Sequence, residues 1–454
     1  MPTTDALNPK SSTAHPRYNE YEESGVDWLG KIPAHWKILS LKYAAQIIQD
    51  KIDEKPDSFP YIGMEHVESG TGRLIKEEPV EDISSTVRHF KEGDVLFGKL
   101  RPYLAKVYLA EEEGVGTTEW IPLRARDEVS REYLAYQLLT KGFIDRLNSM
   151  TYGAKMPRVS PDQLGSRHIT LPPLHEQRTI AAFLDRETEH IDALIKKKKQ
   201  LIDLLEEKRN SLISRVVTKG LDASAEMQDS GVEWLGEIPT GWETPQLRHL
   251  IRPDTTITYG IVQAGPHVED GIPYIRTGDM KGRSLPEDGY KRTDPEIDAK
   301  YSRSKLEQGD IVVAIRATVG KALQVPEYLD GANLTQGTAR VAPGEEASNR
   351  FLLWAINSNH TQQRLDALSK GATFDEITLD MLRRLRVPLP PLPEQKEIAA
   401  YLDKETRRID KLIDNIRDGI ERLKEYRTAL ISAAVTGQID VRETTGRPAG
   451  HEIS

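Results

Sequence analysis

The chain contains no cysteine among its 454 residues. This absence excludes disulfides, thiolate zinc sites, iron–sulfur clusters and cysteine nucleophiles. A metal would have to be held by histidine and carboxylate ligands, and the 11 histidines are scattered without ligand spacing. The sequence therefore gives no pattern for a metal centre.

Long apolar runs are also missing. No stretch approaches the roughly 18 apolar residues that a membrane span needs, and the polar first 23 residues lack the apolar core of a signal peptide. We expect a cytoplasmic protein without membrane association. The net charge of -9 argues weakly against nonspecific coating of DNA. It does not exclude a local basic groove, because phosphate binding depends on a few well-placed cations.

Catalytic signatures are absent as well. Gly320-Lys321-Ala322 lacks the upstream glycine and the Ser/Thr of a phosphate-binding loop. No glycine-rich turn between a strand and a helix indicates a dinucleotide or S-adenosylmethionine pocket, and the Asn-Pro-Pro-aromatic motif of amino-methyltransferases does not occur. The sequence predicts a chain that binds and does not catalyse.

Two motifs each occur twice. The segment Ser24–Trp36, with Gly-Val-Asp-Trp-Leu-Gly-Lys-Ile-Pro inside it, returns as Ser230–Trp242. The segment Leu171–Gln177, Leu-Pro-Pro-Leu-His-Glu-Gln, returns as Leu389–Gln395. A repeat this long is a duplicated domain rather than a solenoid unit, and it suits a partner that also has two parts. The paired tryptophans favour a packing cluster over a ligand site.

A long amphipathic helix follows each Pro-Pro-Leu motif. Proline near the first turn and an acidic residue after it are typical of a helix start. Apolar residues then recur every seven positions, with Lys198 interrupting the first series. Further seam positions are assigned to Leu194, Ile195, Leu201 and Ile202, and to Leu412, Ile413 and Ile420. The pattern predicts an intramolecular antiparallel coiled coil, and dimerisation between chains is the alternative.

Two pairs of loops gather candidate binding residues. One pair follows the β-rich runs at Asp94 and Asp310, and the other precedes the long helices, around Thr151–Arg158 and Ser369–Phe374. Each pair combines glycine, cations and hydroxyls, which suit close backbone approach, phosphate contacts and base contacts. Solvated turns are the alternative in a chain with 29% charged residues.

With these motifs together, the chain resembles specificity subunits of type I restriction-modification systems. The resemblance rests on the tandem layout, both repeated motifs, Gly93–Leu104, Gly309–Val313 and Asn333–Arg340, and it covers about Ser24 to Thr436. It implies an α+β fold with two tandem mixed α/β target recognition domains, separated by two long helices in an antiparallel, pseudo-twofold coiled coil. The implied limits are 1–23 for a polar extension, 24–170 for the first recognition domain, 171–220 for the first helix, 221–388 for a linker and the second recognition domain, 389–436 for the second helix and 437–454 for a tail.

The resemblance also implies partners. Each recognition domain would read one half of a split site in double-stranded DNA, and the helices would act as a ruler. Two methyltransferase subunits would dock on the helical regions, and restriction subunits would join the full complex. No cofactor is expected in this chain, because S-adenosylmethionine, ATP and magnesium would reside in those partners.

The resemblance also implies candidate DNA-binding residues, which are the motif positions expected on DNA-facing loops. They are Lys99, Arg101, Tyr103, Lys106, Lys155 and Arg158 in the first half, and Arg316, Lys321, Gln336, Lys370 and Thr373 in the second. Two other functions stay open: a coiled-coil scaffold that joins two proteins without reading DNA, and a self-contained methyltransferase or nuclease. Sequence-independent retention of DNA would favour the scaffold, and activity of the isolated chain would favour the enzyme.

Overall fold

A computed structural model describes residues 15–53, 59–75, 86–153, 155–369 and 376–443. The chain forms two compact units. Unit 1 comprises Met1–Lys198 and Asp418–Ser454, and unit 2 comprises Lys199–Arg417. Unit 2 is thus continuous in sequence, whereas unit 1 takes both ends of the chain.

The strands are short and the helices include two of exceptional length. The strands are β1 Tyr21–Glu23, β2 Lys31–Pro33, β3 Lys37–Ser40, β4 Ala45–Ile47, β5 Lys51–Ile52, β6 Tyr61–Ile62, β7 Val87–Phe90, β8 Val95–Gly98, β9 Val107–Leu109, β10 Gly114–Gly116, β11 Trp120–Ala125, β12 His168–Leu171, β13 Met227–Asp229, β14 Glu237–Pro239, β15 Thr258–Tyr259, β16 Ile272–Ile275, β17 Lys291–Thr293, β18 Ile311–Ala314, β19 Ala322–Gln324, β20 Asn333–Leu334 and β21 Thr338–Val341. The helices are α1 Leu41–Ala44, α2 Arg131–Leu139, α3 Lys141–Asn148, α4 Pro161–Gly165, α5 Leu174–Lys219, α6 Pro295–Ala299, α7 Asn349–Ile356, α8 Asn359–Ser369, α9 Leu379–Arg384 and α10 Leu392–Val435.

Each unit contains the same four-stranded antiparallel sheet. Its order is β4-β11-β8-β9 in unit 1 and β15-β21-β18-β19 in unit 2. The central strands β8 and β18 are buried along their whole length, as expected for the apolar runs after Glu92-Gly93 and Gln308-Gly309. The two units therefore build their recognition regions on one shared framework.

A second sheet in each unit contains a parallel pair of strands. In unit 1 the order is β5-β7-β10-β6, with β10 and β6 parallel; in unit 2 it is β17-β16-β20, with β16 and β20 parallel. The antiparallel neighbour differs, because β7 pairs with β10 whereas β17 pairs with β16. The units therefore diverge on this sheet.

The first repeated motif forms a β-hairpin that leads to a buried tryptophan. Strands β1 and β2 pair in unit 1, and β13 and β14 pair in unit 2. Trp36 is 3% exposed and donates its indole N–H to Oε1 of Glu176 at 3.1 Å, and Trp242 does the same to Oε2 of Glu394 at 3.1 Å. The prediction that these tryptophans pack is confirmed for Trp36 and Trp242.

The second repeated motif attaches the start of each long helix to its recognition region. Oε1 of buried Gln177 accepts the backbone N–H of Ser130 at 2.8 Å, and its Nε2 donates to the carbonyls of Glu128 and Pro172. Gln395 forms the same three kinds of bond, with the N–H of Ser348 and the carbonyls of Glu346 and Pro390. The Glu-Gln pair of the motif thus has a structural task in both units.

Helices α5 and α10 pair antiparallel within each unit. In unit 1 Asp192 of α5 faces Arg427 of α10, with Oδ2 and Nε 3.5 Å apart. In unit 2 Arg209 of α5 faces Asp410 of α10, with Nε and Oδ1 3.1 Å apart. As the residue number rises in one helix it falls in the partner, so the predicted intramolecular antiparallel pairing is present.

The seam differs in part from its prediction. Leu184, Ile191, Leu402, Ile409 and Leu430 are buried, as expected. Leu194, Leu201 and Leu412 are 37%, 46% and 46% exposed, so their assignment to the seam is wrong. In a heptad pattern the second seam position goes to the residue one place later, which is Ile195, Ile202 or Ile413. The ammonium end of Lys198 lies beside Gly419 of the partner helix, where an added Cβ would stand 3.4 Å from Nζ.

The predicted α+β class, with tandem mixed domains and two long helices, is confirmed. The exact residue limits predicted for the domains remain predictions. Among the described residues no helix is both long and apolar enough to cross a bilayer.

Candidate nucleic-acid interface

The loop between β8 and β9, residues 99–106, carries the first group of candidate residues. Arg101 and Ala105 adopt positive φ angles of 51° and 46°, in the left-handed region. Arg101 also precedes Pro102, and residues before proline favour an extended backbone. Non-glycine residues in such conformations are held there by their surroundings, and they occur often at functional sites.

The loop between β18 and β19, residues 315–321, is its equivalent in unit 2. Ala317 has a φ of 63° and Gly320 a φ of 85°, at places that correspond to Arg101 and Ala105. The same backbone geometry therefore recurs with different side chains. This is the arrangement expected of a shared scaffold with a variable surface.

The segment before each long helix is hydrogen-bonded to this loop. The N–H of Val159 donates to the carbonyl of Lys99 at 3.0 Å, and that of Ile377 donates to the carbonyl of Ile315 at 3.0 Å. In unit 1 Tyr152 and Arg158 form a small antiparallel bridge. The exposed Lys155 lies in the turn between them. Each unit thus joins the two predicted loop regions into one surface.

Cations gather on this surface in unit 1. Burial lowers the pKa of Lys99, Glu119 opposes that shift, and the positive charges of Arg88, Arg158 and Lys51 lower the pKa further. The charge of Asp50 also acts on Arg88, so four cations stand against two carboxylates and leave a local positive excess, although the chain as a whole is acidic. Such a cluster attracts phosphate groups.

The candidate residues of unit 1 fall into two groups. Arg101, Tyr103 and Lys155 are exposed, and Tyr103 is 51% exposed. Lys99, Lys106 and Arg158 have partners inside the unit. Lys99 donates to the carbonyl of Thr118 at 2.8 Å, Lys106 donates to the carbonyls of Met64 and Val67 at 2.6 and 2.7 Å, and Nε of Arg158 lies 3.2 Å from Oε2 of Glu119.

The candidates of unit 2 divide less clearly, because Arg316 is 44% exposed and also has a partner. Gln336 is exposed beside a parallel bridge between Ile261 and Thr335. Arg316 donates to Oε1 of Glu376 at 2.9 Å, and Lys321 donates to the carbonyl of Lys281 at 2.9 Å. Lys370 and Thr373 lie outside the described residues. All eleven assignments to DNA remain predictions.

The loops of unit 2 that carry Gln336 and Arg316 are also joined. The N–H of Ile315 donates to the carbonyl of Gly337 at 2.9 Å, and the N–H of Gln336 donates to that of Ile261 at 3.2 Å. A Cβ at Gly260 would lie 2.1 Å from the carbonyl oxygen of Leu334, so only glycine permits this approach. Tyr259, 44% exposed, extends the surface next to that glycine.

Some residues of this surface were missed by sequence reasoning. Lys51 and Arg88 contribute charge from β5 and β7, and Glu119 and Glu376 each pair with a candidate arginine. No motif marks them, because they reach the loops through strand pairing such as Lys51 with Arg88. Tyr152, by contrast, lies in the Thr151–Arg158 segment and is exposed. An aromatic ring in a candidate binding loop can stack on a base, and this could have identified Tyr152 from the sequence.

The site has the composition of a nucleic-acid-binding surface. Among the described positions, no group of three or more His, Cys, Asp or Glu could hold a metal ion. Left-handed loop residues and exposed tyrosines occur on this surface in both units, and the cation cluster occurs in unit 1. These features are typical of a class of protein that binds a polyanion with two similar lobes.

Comparison with known proteins identifies the family. The model of the type I restriction modification DNA specificity domain matches residues 36–204 and 265–422. The chain belongs to this family and carries the domain twice. The resemblance inferred from the repeated motifs is confirmed, and the match favours DNA specificity over a scaffold that joins two proteins.

Relatives of known family align with most of this chain. It is 25% identical over 329 residues to the type I restriction enzyme EcoBI specificity subunit of Escherichia coli, covering 71% of this chain and 68% of that protein. It is 24% identical over 431 residues to the MjaVIII specificity subunit of Methanocaldococcus jannaschii, covering 91% and 95%. A solved structure from work on complex assembly of the type I R-M system matches with a TM-score of 0.70 at 21% identity over 89% of this chain and 98% of that one. That likeness supports the fold.

Proposed function

We propose that this chain is the DNA-reading subunit of a type I restriction-modification complex. Each recognition domain reads one half of a bipartite site, and the helix pair sets the distance between the halves. The subunit has no catalysis of its own and works in the cytoplasm. Methyltransferase subunits, two in the full assembly, dock on the helices, and restriction subunits join them.

One observation carries this proposal. The specificity domain matches twice, and in each copy the loop after the central strand is bonded to the segment before the long helix by the same backbone hydrogen bond. The scaffold is shared while Arg101 in one loop corresponds to Ala317 in the other. Two lobes with one framework and different exposed side chains fit two different half-sites.

The contacts support a division of labour between loops and helices. The exposed Arg101, Tyr103 and Lys155 are free to contact DNA, whereas Gln177 and Gln395 hold the helices to the recognition regions. Changes on the loops should therefore alter the bases that are read. Changes in helix length should alter the spacer.

Methylome sequencing of a host that expresses this chain with its methyltransferase subunit tests the proposal. We expect a methylated motif in two parts with a fixed spacer. Matched one-heptad insertions after Lys198 and after Arg417 should change the spacer and leave both half-sites unchanged. An insertion in α5 alone, before Leu184, would displace Asp192 from Arg427 and serves as the control for disruption.

The contradicting outcomes are distinct. Methylation at an undivided site, or binding of the complex to cognate and scrambled DNA with equal affinity, would exclude a bipartite reader. New half-site bases with an unchanged spacer, after the matched insertions, would show that helix length does not set the distance.

A further inference from the structure

Each unit contains an ion-paired group in which an aspartate of one long helix lies between two arginines. In unit 1 Oδ2 of Asp192 lies 2.7 Å from an Nη2 of Arg73 and 3.5 Å from Nε of Arg427. In unit 2 Oδ1 of Asp410 lies 3.2 Å from Nη2 of Arg283 and 3.1 Å from Nε of Arg209. In both, the aspartate and one arginine belong to the two long helices, and the second arginine belongs to the recognition region. We call each group a domain–helix triad.

The triads are equivalent although the helices exchange roles. Asp192 is on α5 and Asp410 is on α10, while the helix arginines Arg427 and Arg209 are on the opposite helix in each unit. Arg73 and Arg283 both follow a glycine, Gly72 and Gly282. A surface ion pair that formed by chance would not recur with the same three roles in both copies.

The unit 1 triad is more deeply buried than the unit 2 triad. Asp192 and Arg427 are 9% and 6% exposed, while Arg73 is 45% exposed. A buried carboxylate that loses a cationic partner keeps an unfavourable charge in a poorly solvated place. Asp410 and Arg209 are less covered, at 18% and 24%. We therefore expect the unit 1 triad to be the more sensitive of the two.

The triad is connected to the candidate DNA-facing loop in unit 1. Arg427 donates through Nη1 to the carbonyl of Gly70 at 2.9 Å and through Nη2 to that of Thr71 at 3.1 Å. The N–H of Gly70 in turn donates to the carbonyl of Ala105 at 3.1 Å. Ala105 belongs to the strained loop 99–106 that also carries Arg101. A short chain of hydrogen bonds therefore runs from the helix to this loop.

Unit 2 has a corresponding connection. Lys321, at the end of loop 315–321, donates to the carbonyl of Lys281, two residues before Arg283. Lys106, at the end of loop 99–106, likewise donates to the carbonyls of Met64 and Val67 in the segment that leads to Arg73. In both units a lysine thus fastens the loop to the segment whose arginine reaches the helix aspartate.

We propose that the domain–helix triads are positioning devices for DNA reading: they fix the angle at which each DNA-facing loop is held on its part of the helix pair. This inference rests on the function proposed above. One additional base pair between half-sites moves the second half by about 3.4 Å and turns it by about 35°. A loop held rigidly rejects that change, and a loop that can pivot on the helix accepts it.

The test uses the assembled methyltransferase complex and duplexes that carry the half-sites found by sequencing. The spacers are the natural one and spacers one base pair shorter and longer. The readout is the ratio of the initial methylation rate on the natural spacer to the rate on an altered spacer. Arg73→Ala should lower this ratio by about tenfold, because displacing reacting groups by about 1 Å changes rates by that factor or more. Asp192→Asn should act in the same direction, and Arg73→Lys, which keeps the charge, should retain most of the discrimination.

Arg146→Ala is the matched control. Arg146 is 48% exposed and pairs with Asp27 inside the recognition region, with no helix aspartate involved. It should leave the ratio unchanged, and the methylated bases should be the same in every variant. A ratio within about twofold of wild type in both Arg73→Ala and Asp192→Asn would overturn the proposal. A wild-type complex without spacer discrimination would instead contradict the proposed function.

Discussion

Arg101 and Ala317 hold the same left-handed backbone conformation, with φ angles of 51° and 63°, at corresponding places in the two loops. The strand before each loop and the hydrogen bond that closes it are also alike, since Lys99 and Ile315 accept the N–H groups of Val159 and Ile377. The conformation is therefore a property of the framework. The side chain at that place is free to differ between the lobes.

Replacing Ala317 by glycine should stabilise unit 2 slightly. A non-glycine residue in the left-handed region destabilises the folded state by about 1–2 kcal/mol. The added freedom of glycine in the unfolded chain offsets about 0.4–1 kcal/mol of the gain from removing that strain. We expect Ala317→Gly to raise the unfolding free energy by roughly 0.5 kcal/mol, measured by urea denaturation. The control Ala314→Gly, in buried strand β18, should lower it by about 1 kcal/mol. Equal losses in both variants would mean that the loop is not strained.

Removing the side chain of Gln177 should loosen the attachment of α5. Its amide satisfies the N–H of Ser130 and the carbonyls of Glu128 and Pro172. Gln177→Ala leaves buried backbone groups without partners, at about 1–3 kcal/mol of unfolding free energy. Gln200→Ala, exposed on the same helix, should change stability by less than about 0.5 kcal/mol. Denaturation curves of the two variants measure both changes in unfolding free energy. Equal midpoints would contradict the assigned role of Gln177.

These contacts separate the features that the sequence predicts from those that it does not. Repeated motifs predicted the duplication, the long helices and the buried tryptophans, because such features depend on local pattern and periodicity. The partners of Gln177 could not be predicted, since Ser130 is brought to it by packing across the domain. The seam error at Leu194 has a similar origin, because a run of adjacent apolar residues does not reveal which one faces the partner helix.

The candidate site was predictable as two loops but not residue by residue. Lys99 and Lys106 looked equivalent to Lys155 in sequence, as cations near glycine. The structure separates them, because the first two donate to backbone carbonyls and the third is exposed in a turn. Which lysines have partners depends on where strands β6 and β10 place the carbonyls that follow them, and no local motif encodes that.

Lys106 and Lys155 should therefore respond in opposite ways to substitution. Lys106→Met removes two charged hydrogen bonds and should lower the unfolding free energy by about 1–2 kcal/mol. Lys155→Ala should leave stability unchanged, weaken DNA binding of the assembled complex and reduce the salt dependence by about one phosphate contact. Denaturation and salt titrations of binding provide the two readouts. Loss of stability in Lys155→Ala with unchanged binding would reverse the assignment.

Arg101 and Arg316 should differ in how readily they contact DNA. Both side chains are exposed, but Arg316 donates to Glu376 at 2.9 Å and must exchange that partner for a phosphate or base. Each alanine substitution should weaken binding at its own half-site, by about 1–3 kcal/mol if a base contact is lost.

Glu376→Gln tests the contribution of Arg316 to DNA binding independently of Arg101. It removes the negative charge that holds the Arg316 guanidinium and repels DNA, so affinity for the cognate site should rise. Arg101→Ala should cost as much binding free energy in this background as in the wild type. Binding isotherms on duplexes with one half-site scrambled at a time assign each effect to a lobe. If Glu376→Gln weakens binding, the Arg316–Glu376 pair orients the arginine for a base contact. Its role would then be to position the side chain rather than to compete with DNA.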